Sequence, residues 1–140
     1  MADILAKIAD GADANPMDNP FWNIKRAEAL RSFLAQHELD PKQKLEMRMS
    51  LARELLYGGQ TEKAIVEFEA LSSQPNLVNA ADDPNWRNVV KYWLGLSYLR
   101  LGEQENCIRD HNIESCLLPI RGRGVHSRQR GSRMAIEQFA

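Results

Sequence analysis

Two segments of this sequence, 43 residues apart, carry the same pattern of small and large apolar residues. The segment MSLARELLYGGQTEKAIVEF aligns with KYWLGLSYLRLGEQENCIRDH. In each copy a small residue stands where two antiparallel helices would approach closely, and a glycine follows where the chain would turn. The self-match therefore predicts two helix–turn–helix units. The paired positions are Leu51 with Leu94, Ala52 with Gly95, Leu55 with Tyr98, Gly59 with Gly102, and Ala64 with Cys107.

Apolar residues recur at helical spacing along most of the chain, and no segment shows the alternation of a strand, so the sequence predicts an all-α fold. Asp40 followed by Pro41 predicts a helix start, and the glycines at 58–59 predict its end after Tyr57. Another helix is expected to open at Thr61, and residues 72–85 are expected to form a loop. The side chains predicted to face inward include Ile24, Ala27, Leu30, Phe33, Leu34, Ala64, Ile65, Phe68, Leu71, Val89, Val90, Trp93, Leu94, Leu96, Tyr98, Ala135, Ile136 and Phe139.

The repeated pattern resembles the tetratricopeptide repeat, a helix–turn–helix unit whose stacked copies form a curved solenoid. The first copy has Phe68 four residues after Ala64, as that repeat expects, whereas the second has His111 in the corresponding place. The resemblance implies repeat-like units at 41–74 and 86–116 within a helical domain at 20–140, with residues 1–19 as an N-terminal arm. An unrelated antiparallel helical bundle is the alternative.

Charge is distributed unevenly along the chain. The net charge is −1, but residues 1–116 carry a net −5 and residues 117–140, with five arginines and one glutamate, carry a net +4. A general nucleic-acid binder would usually be basic overall, so we expect no nucleic-acid partner. No window approaches the ~20 apolar residues of a membrane span, and the N-terminus lacks a signal-peptide core. The sequence thus suits a cytoplasmic protein, or a piece of a longer exported one.

Residues 111–130 interrupt the helical pattern and predict an inserted loop, with a further helix beginning at about 131–140. Pro119 and the glycines of RGRG are incompatible with a continuous helix. The motifs ENC, HN, SCLLPI, GVH and GS..AI, at 105–107, 111–112, 115–120, 124–126 and 131–136, resemble the tetratricopeptide part of exported bacterial proteins that also carry FG-GAP/VCBS propeller repeats and an ASPIC/UnbV domain. That resemblance implies a periplasmic or secreted location, and supplies no catalytic residues.

The cysteines of this loop have three interpretations. If the chain folds back at residues 110–112, Cys107 and Cys116 could form a disulfide that staples a polar loop. Alternatively, both are free structural thiols. In the third interpretation Cys107, His111, Cys116 and His126 supply the four ligands of a tetrahedral zinc ion, at a spacing that matches no common zinc module.

The arginines of the loop have two interpretations. In the first, their guanidinium groups and the backbone amides of the loop bind an anion. In the second, their positive charges pair with an acidic surface of this molecule or of a neighbouring domain. They are Arg121, Arg123, Arg128, Arg130 and Arg133.

No nucleophile–base pair, HExxH motif or nucleotide loop is present in the sequence, so we expect a non-enzymatic protein without a cofactor. The predicted function is a scaffold that binds another protein segment, another domain of its own longer chain, or a second copy of itself. The alternative is a sensor or carrier of a small anion or metal, built from residues 107–133.

Overall fold

The computed structural model describes residues 1–73, 85–115 and 119–140, apart from the side chains of residues 12–14. Within these residues the regular structure is entirely helical, which confirms the predicted all-α class. The helices are α1 (Ala2–Ala14), α2 (Asn23–Gln36), α3 (Pro41–Tyr57), α4 (Thr61–Ser72), α5 (Trp86–Glu103) and α6 (Arg130–Phe139). Short 3-10 turns lie at Pro16–Asp18 and Gly122–Gly124, and a π-helical turn at Gln104–Ile108. In this part of the chain, no helix is both long and apolar enough to cross a membrane.

Local signals set the ends of α3 as the sequence predicts. The Asp40 carboxylate accepts a hydrogen bond of 2.9 Å from the backbone N–H of Gln43, so it satisfies one of the free amides of the first turn. Pro41 follows at the first helical position. After Tyr57, Gly59 adopts a φ of 76°, a backbone conformation that residues with a Cβ rarely adopt. Both predicted boundaries are confirmed.

The helices pack in chain order. The extensive contacts join α2 to α3, α3 to α4, α4 to α5, and α5 to α6. Helix α1 contacts the Pro16–Asp18 turn, and its described side chains are exposed. The buried core runs through the stack from α2 to α6 and consists of Ala27, Leu30, Leu45, Met49, Leu51, Ala52, Leu55, Ala64, Ile65, Phe68, Leu71, Val90, Leu94, Tyr98, Leu101 and Ala135.

The second helical pair differs from the sequence alignment. Helix α5 continues through Gly102 to Glu103 and then into the π-helical turn, so the predicted turn at Gly102 is wrong. Its partner helix is α6, which begins only at Arg130. The alignment failed here because it assumed a short turn in both units.

Glycine contacts explain how α6 pairs with α5. A Cβ on Gly131 would lie 2.4 Å from the amide nitrogen of Gly102, so the two backbones are in direct contact. Near the other end of α6, the ring of Phe139 would lie 2.6 Å from a Cβ on Gly95. Small residues thus allow the close helix crossing, and Ala135 and Phe139 have the four-residue spacing of Ala64 and Phe68 in α4.

Three side chains predicted to face inward are exposed. One of them, Phe139, is 49% exposed although its ring packs on Gly95 of α5. Ile136 is 67% exposed. Helix α6 packs on α5 through the face that carries Gly131 and Ala135. Ile136 follows Ala135 directly, so its side chain lies about 100° around the helix from that face. Phe33 near the end of α2 is also exposed and stacks on His37, with ring centroids 4.0 Å apart.

Candidate functional site

The loop between α5 and α6 is anchored by Asn106, in the π-helical turn that extends α5. The Asn106 amide donates hydrogen bonds of 2.9 Å to the carbonyl of Gly102 and 2.8 Å to that of Arg128. Its side-chain oxygen accepts a bond of 3.0 Å from the Arg128 N–H. The buried side-chain amide of Asn106 therefore pairs with both the N–H and the carbonyl of Arg128. These bonds hold the loop against α5 just before α6 begins.

A second asparagine, Asn112, joins the two limbs of the loop. Its amide donates 3.1 Å bonds to the carbonyls of Asp110 and Arg123, and its oxygen accepts a 2.9 Å bond from the N–H of Glu114. The Glu114 carboxylate in turn accepts a 2.8 Å bond from the Arg123 N–H. At Gly124 a Cβ would lie only 2.2 Å from the Glu114 carbonyl oxygen, so glycine is required at this contact.

A cleft of about 300 Å³ lies between the limbs of this loop. Next to it, Cys107 Sγ lies 3.5 Å from Nε2 of His126, within hydrogen-bond distance for sulfur. His111 is exposed, and the described residues contain no cluster of three His, Cys, Asp or Glu side chains that could hold a metal ion. Cys116 lies outside the described residues, so the disulfide and the four-ligand zinc set stay predictions. The cleft is lined by Asn106, Asp110, Asn112, Arg123, Gly124, Val125, His126 and Ser127.

The loop arginines have separate partners. Arg128 approaches the carboxylate of Asp110 at 3.9 Å, and Arg133 donates to the side-chain oxygen of Gln129 at 2.8 Å. Arg121 is exposed. Arg123 is the member of the five that lines the cleft between the limbs of the loop. The guanidinium groups therefore lie on different parts of the loop and of α6, an arrangement that suits surface charge better than one anion cradle.

Arg130 belongs to a polar cluster that joins three helices. The buried Tyr98 hydroxyl of α5 donates a 2.5 Å bond to the Glu69 carboxylate of α4, and Arg130 of α6 is nearby. Burial, together with the bond to Glu69 and its charge, raises the pKa of Tyr98 to about 12, although Arg130 acts in the opposite direction. Tyr98 therefore stays neutral and a hydrogen-bond donor over the physiological pH range.

A different surface carries exposed aromatic side chains in a row across α3 and α5. The ring of Trp93 lies edge-on to Tyr57 at 5.9 Å and to Tyr92 at 5.8 Å between centroids. Tyr57 is 61% and Tyr92 53% exposed, whereas Trp93 packs on the buried ring of Phe68. The guanidinium of Arg53 lies over Trp93 at 5.8 Å. We call Arg53, Tyr57, Tyr92 and Trp93 the aromatic groove.

The aromatic groove is continuous with a cleft of about 510 Å³ between α2 and α3, because Arg53 and Tyr57 line both. One wall of that cleft is fixed by the ion pair of Arg26 with Glu54, at 2.8 Å, and by a 2.8 Å bond from the Asn23 amide to the same carboxylate. The further lining residues are Met17, Leu30, Glu46, Met47 and Ser50. The helical pattern predicted that Trp93 is a core or groove-wall residue, but gave no signal for Tyr57 and Tyr92, since the row forms only when two helices are side by side.

The chain matches no protein-family model, no curated protein and no solved structure.

Proposed function

We propose that this protein is a non-catalytic helical scaffold that binds a segment of another protein in the aromatic groove. The observation that carries the proposal is the pair of exposed tyrosines on either side of Trp93. Aromatic and arginine side chains contribute most of the binding energy at many protein interfaces. Tyrosine and tryptophan bury a large area and lose little conformational freedom, because each has only two side-chain torsions. The neighbouring cleft adds length for an extended or helical segment.

Arg53 indicates the chemistry of that segment. Among the described residues it forms no ion pair, and its contacts are the Trp93 ring and the Ser50 hydroxyl at 3.5 Å. A carboxylate of the ligand could therefore pair with the guanidinium while an apolar or aromatic side chain packs on the tyrosines. The proposed ligand is a peptide segment that combines an acidic residue with a bulky apolar one.

We also propose that the scaffold is built from tetratricopeptide-like units and is periplasmic or secreted. Helices α5 and α6 cross at small residues, and α3 and α4 are in contact and carry the fully buried Ala52 and Ala64. This supports tetratricopeptide-like units with an insertion in the second pair. The loop motifs support a periplasmic or secreted protein of bacterial origin, whose groove partner would then be another domain of a longer polypeptide or a neighbouring exported protein.

Site-specific photocrosslinking in the source organism tests the groove. A photoreactive phenylalanine analogue at position 92 should trap one dominant protein partner, and the matched analogue at Val66, equally exposed on α4, should not. Tyr57→Ala combined with Arg53→Ala should remove the position-92 product. Equal products from positions 92 and 66, or a product that survives the double substitution, would contradict the proposal.

The Cys107–His126 contact beside the loop cleft favours a second function, the binding of a metal ion. Thiolate and imidazole are the ligands that zinc prefers, although two of them alone do not complete a tetrahedral site. The test is an intact native mass of protein purified without reductant or chelator. A mass heavier by one zinc, lost in the Cys107→Ser and His126→Ala variants, would support this function. A metal-free mass would contradict it, and a mass lower by two hydrogens would support the disulfide instead.

A further inference from the structure

A small cleft of about 190 Å³ lies between the first turn of α4 and the π-helical turn that follows α5. The side-chain amide of Gln104, in the π-helical turn, donates a 3.3 Å hydrogen bond to the carbonyl of Gly59, so it joins the two elements. The described residues that line this cleft differ from those of the loop cleft and of the aromatic groove. We call it the α4 cleft.

The α4 cleft is lined by Thr61, whose hydroxyl is buried without a hydrogen-bond partner. Thr61 is 2% exposed, and within the described part of the chain its Oγ1 forms no hydrogen bond. A buried hydroxyl without a partner costs free energy, so native proteins pair such groups with protein atoms, water or a bound ion. The hydroxyl can donate one hydrogen bond, and an acceptor bound in the cleft would satisfy it.

The backbone amides at the start of α4 also need an acceptor. The side chain of Gln60 forms no cap, and the Gln60 amide already donates to the Leu55 carbonyl at 2.8 Å. The next three amides, those of Thr61, Glu62 and Lys63, belong to the first turn and have no acceptor within the helix. They therefore offer an anion three N–H donors at the positive end of the helix dipole.

Two cationic side chains line the same cleft. Lys63 belongs to the first turn of α4, and Arg109 directly follows the π-helical turn. Both are exposed, and in the part of the chain that the structure describes neither forms an ion pair. The carboxylate in the described lining belongs to the exposed Glu62, so positive charges outnumber negative ones by two to one. The cleft thus combines positive charge with hydrogen-bond donors.

We propose that the α4 cleft binds a phosphate ion, held by the first-turn amides, the Thr61 hydroxyl, and the side chains of Lys63 and Arg109. Phosphate has four oxygens and can accept hydrogen bonds from several donors at once, whereas a carboxylate has two oxygens and less charge. The five loop arginines between residues 121 and 133 take no part. The inference is independent of the groove proposal, because the aromatic groove lies on other residues.

Titration with inorganic phosphate, followed by amide NMR at constant ionic strength and neutral pH, tests the site. The amide signals of Thr61, Glu62 and Lys63 should shift and saturate, with a dissociation constant of about 1 mM or lower. Acetate should bind at least about tenfold more weakly. Unmoved first-turn amides, or acetate binding as tight as that of phosphate, would overturn the proposal.

Three variants assign the donors. Thr61→Val keeps the shape of the side chain but removes the hydroxyl, so the dissociation constant for phosphate should rise about tenfold. Lys63→Gln combined with Arg109→Gln should raise it at least about tenfold. Glu62→Gln should lower it, because a negative charge leaves the rim. Circular dichroism should confirm that each variant folds.

The matched control for the loss of two positive charges is Lys44→Gln combined with Arg87→Gln, at exposed positions of α3 and α5. This variant should bind phosphate as the wild type does, since neither side chain lines the α4 cleft. Equal weakening in the control and in the Lys63/Arg109 variant would show that net charge alone attracts phosphate, and would overturn the proposal. So would a Thr61→Val variant that binds phosphate as tightly as the wild type.

Discussion

Gly131 of α6 lies directly against the backbone of Gly102 in α5: a Cβ on Gly131 would be 2.4 Å from the amide nitrogen of Gly102 and 2.6 Å from the Tyr98 carbonyl oxygen. No side chain can move aside to relieve such a contact, because both clashing atoms belong to the backbone of α5. This contact fixes the register of α6 on α5 across the intervening loop of more than twenty residues.

We therefore expect Gly131→Ala to destabilise the protein. Alanine has a higher helix propensity than glycine, which adds about 1 kcal/mol to the free energy of unfolding. Forcing a methyl group into this filled contact costs about 3 kcal/mol, so the clash dominates and the net loss is about 2 kcal/mol. Urea denaturation measures the free energy of unfolding. Gly11→Ala in α1 is the matched control, since a Cβ there meets nothing within 4 Å, and it should be neutral or slightly stabilising. Equal effects at the two positions would contradict the contact.

Asn106→Ala should loosen the loop and lower the free energy of unfolding by about 2–3 kcal/mol. The substitution removes three hydrogen bonds and leaves the backbone groups of Arg128 without their partner in a partly buried site. Hydrogen exchange should show faster exchange of the Arg128 amide, because that amide donates to Asn106. Asn88→Ala, at an exposed position of α5, is the control and should change neither measurement. An Arg128 amide that stays protected from exchange in Asn106→Ala would contradict the role of Asn106 in holding the loop.

Stability should fall on the alkaline side because of Tyr98. Its pKa is raised from 10.0 to about 12 in the folded protein, so the folded state retains a proton that the unfolded state loses in this interval. The contribution of about 3 kcal/mol is fully present below pH 10 and disappears as the pH rises from about 10 to about 12. Tyr98→Phe has no phenol to ionise, so the stability difference between wild type and variant should shrink over that range.

The titration of Tyr98 can be measured directly from phenolate absorbance. The difference between the titrations of wild type and Tyr98→Phe isolates this one side chain, and its midpoint should lie near pH 12. A midpoint near 10 would show that neither burial nor the bond to Glu69 holds the proton in solution.

Asp40→Ala should cost about 1 kcal/mol, because it leaves the Gln43 amide without its acceptor at the start of α3. Asp40→Asn keeps a capping oxygen and should retain most of the stability. Glu38→Ala, exposed two residues earlier, serves as the control for a lost negative charge. Thermal unfolding followed by circular dichroism distinguishes the three variants, and an Asp40→Asn variant as unstable as Asp40→Ala would rule out the cap.

The sequence by itself determined the all-α class, the bounds of α3 and the inward face of α4. Each depends on groups only a few residues apart: Asp40 caps Gln43, Gly59 ends α3, and the spacing of Ala64, Ile65, Phe68 and Leu71 places all four in the core. Such signals act within one or two turns, so a periodic pattern reveals them.

Only the tertiary structure decided which helix pairs with α5, how the loop is held and where the aromatic groove lies. The alignment assigned the second helix to the residues after Gly102, whereas packing of Gly131 on Gly102 selects α6. Likewise Asn106 meets Arg128, and Tyr57 meets Trp93, only after the chain has folded. The physical reason is that these contacts join groups more than twenty residues apart, whose separation in space depends on the packing of whole helices.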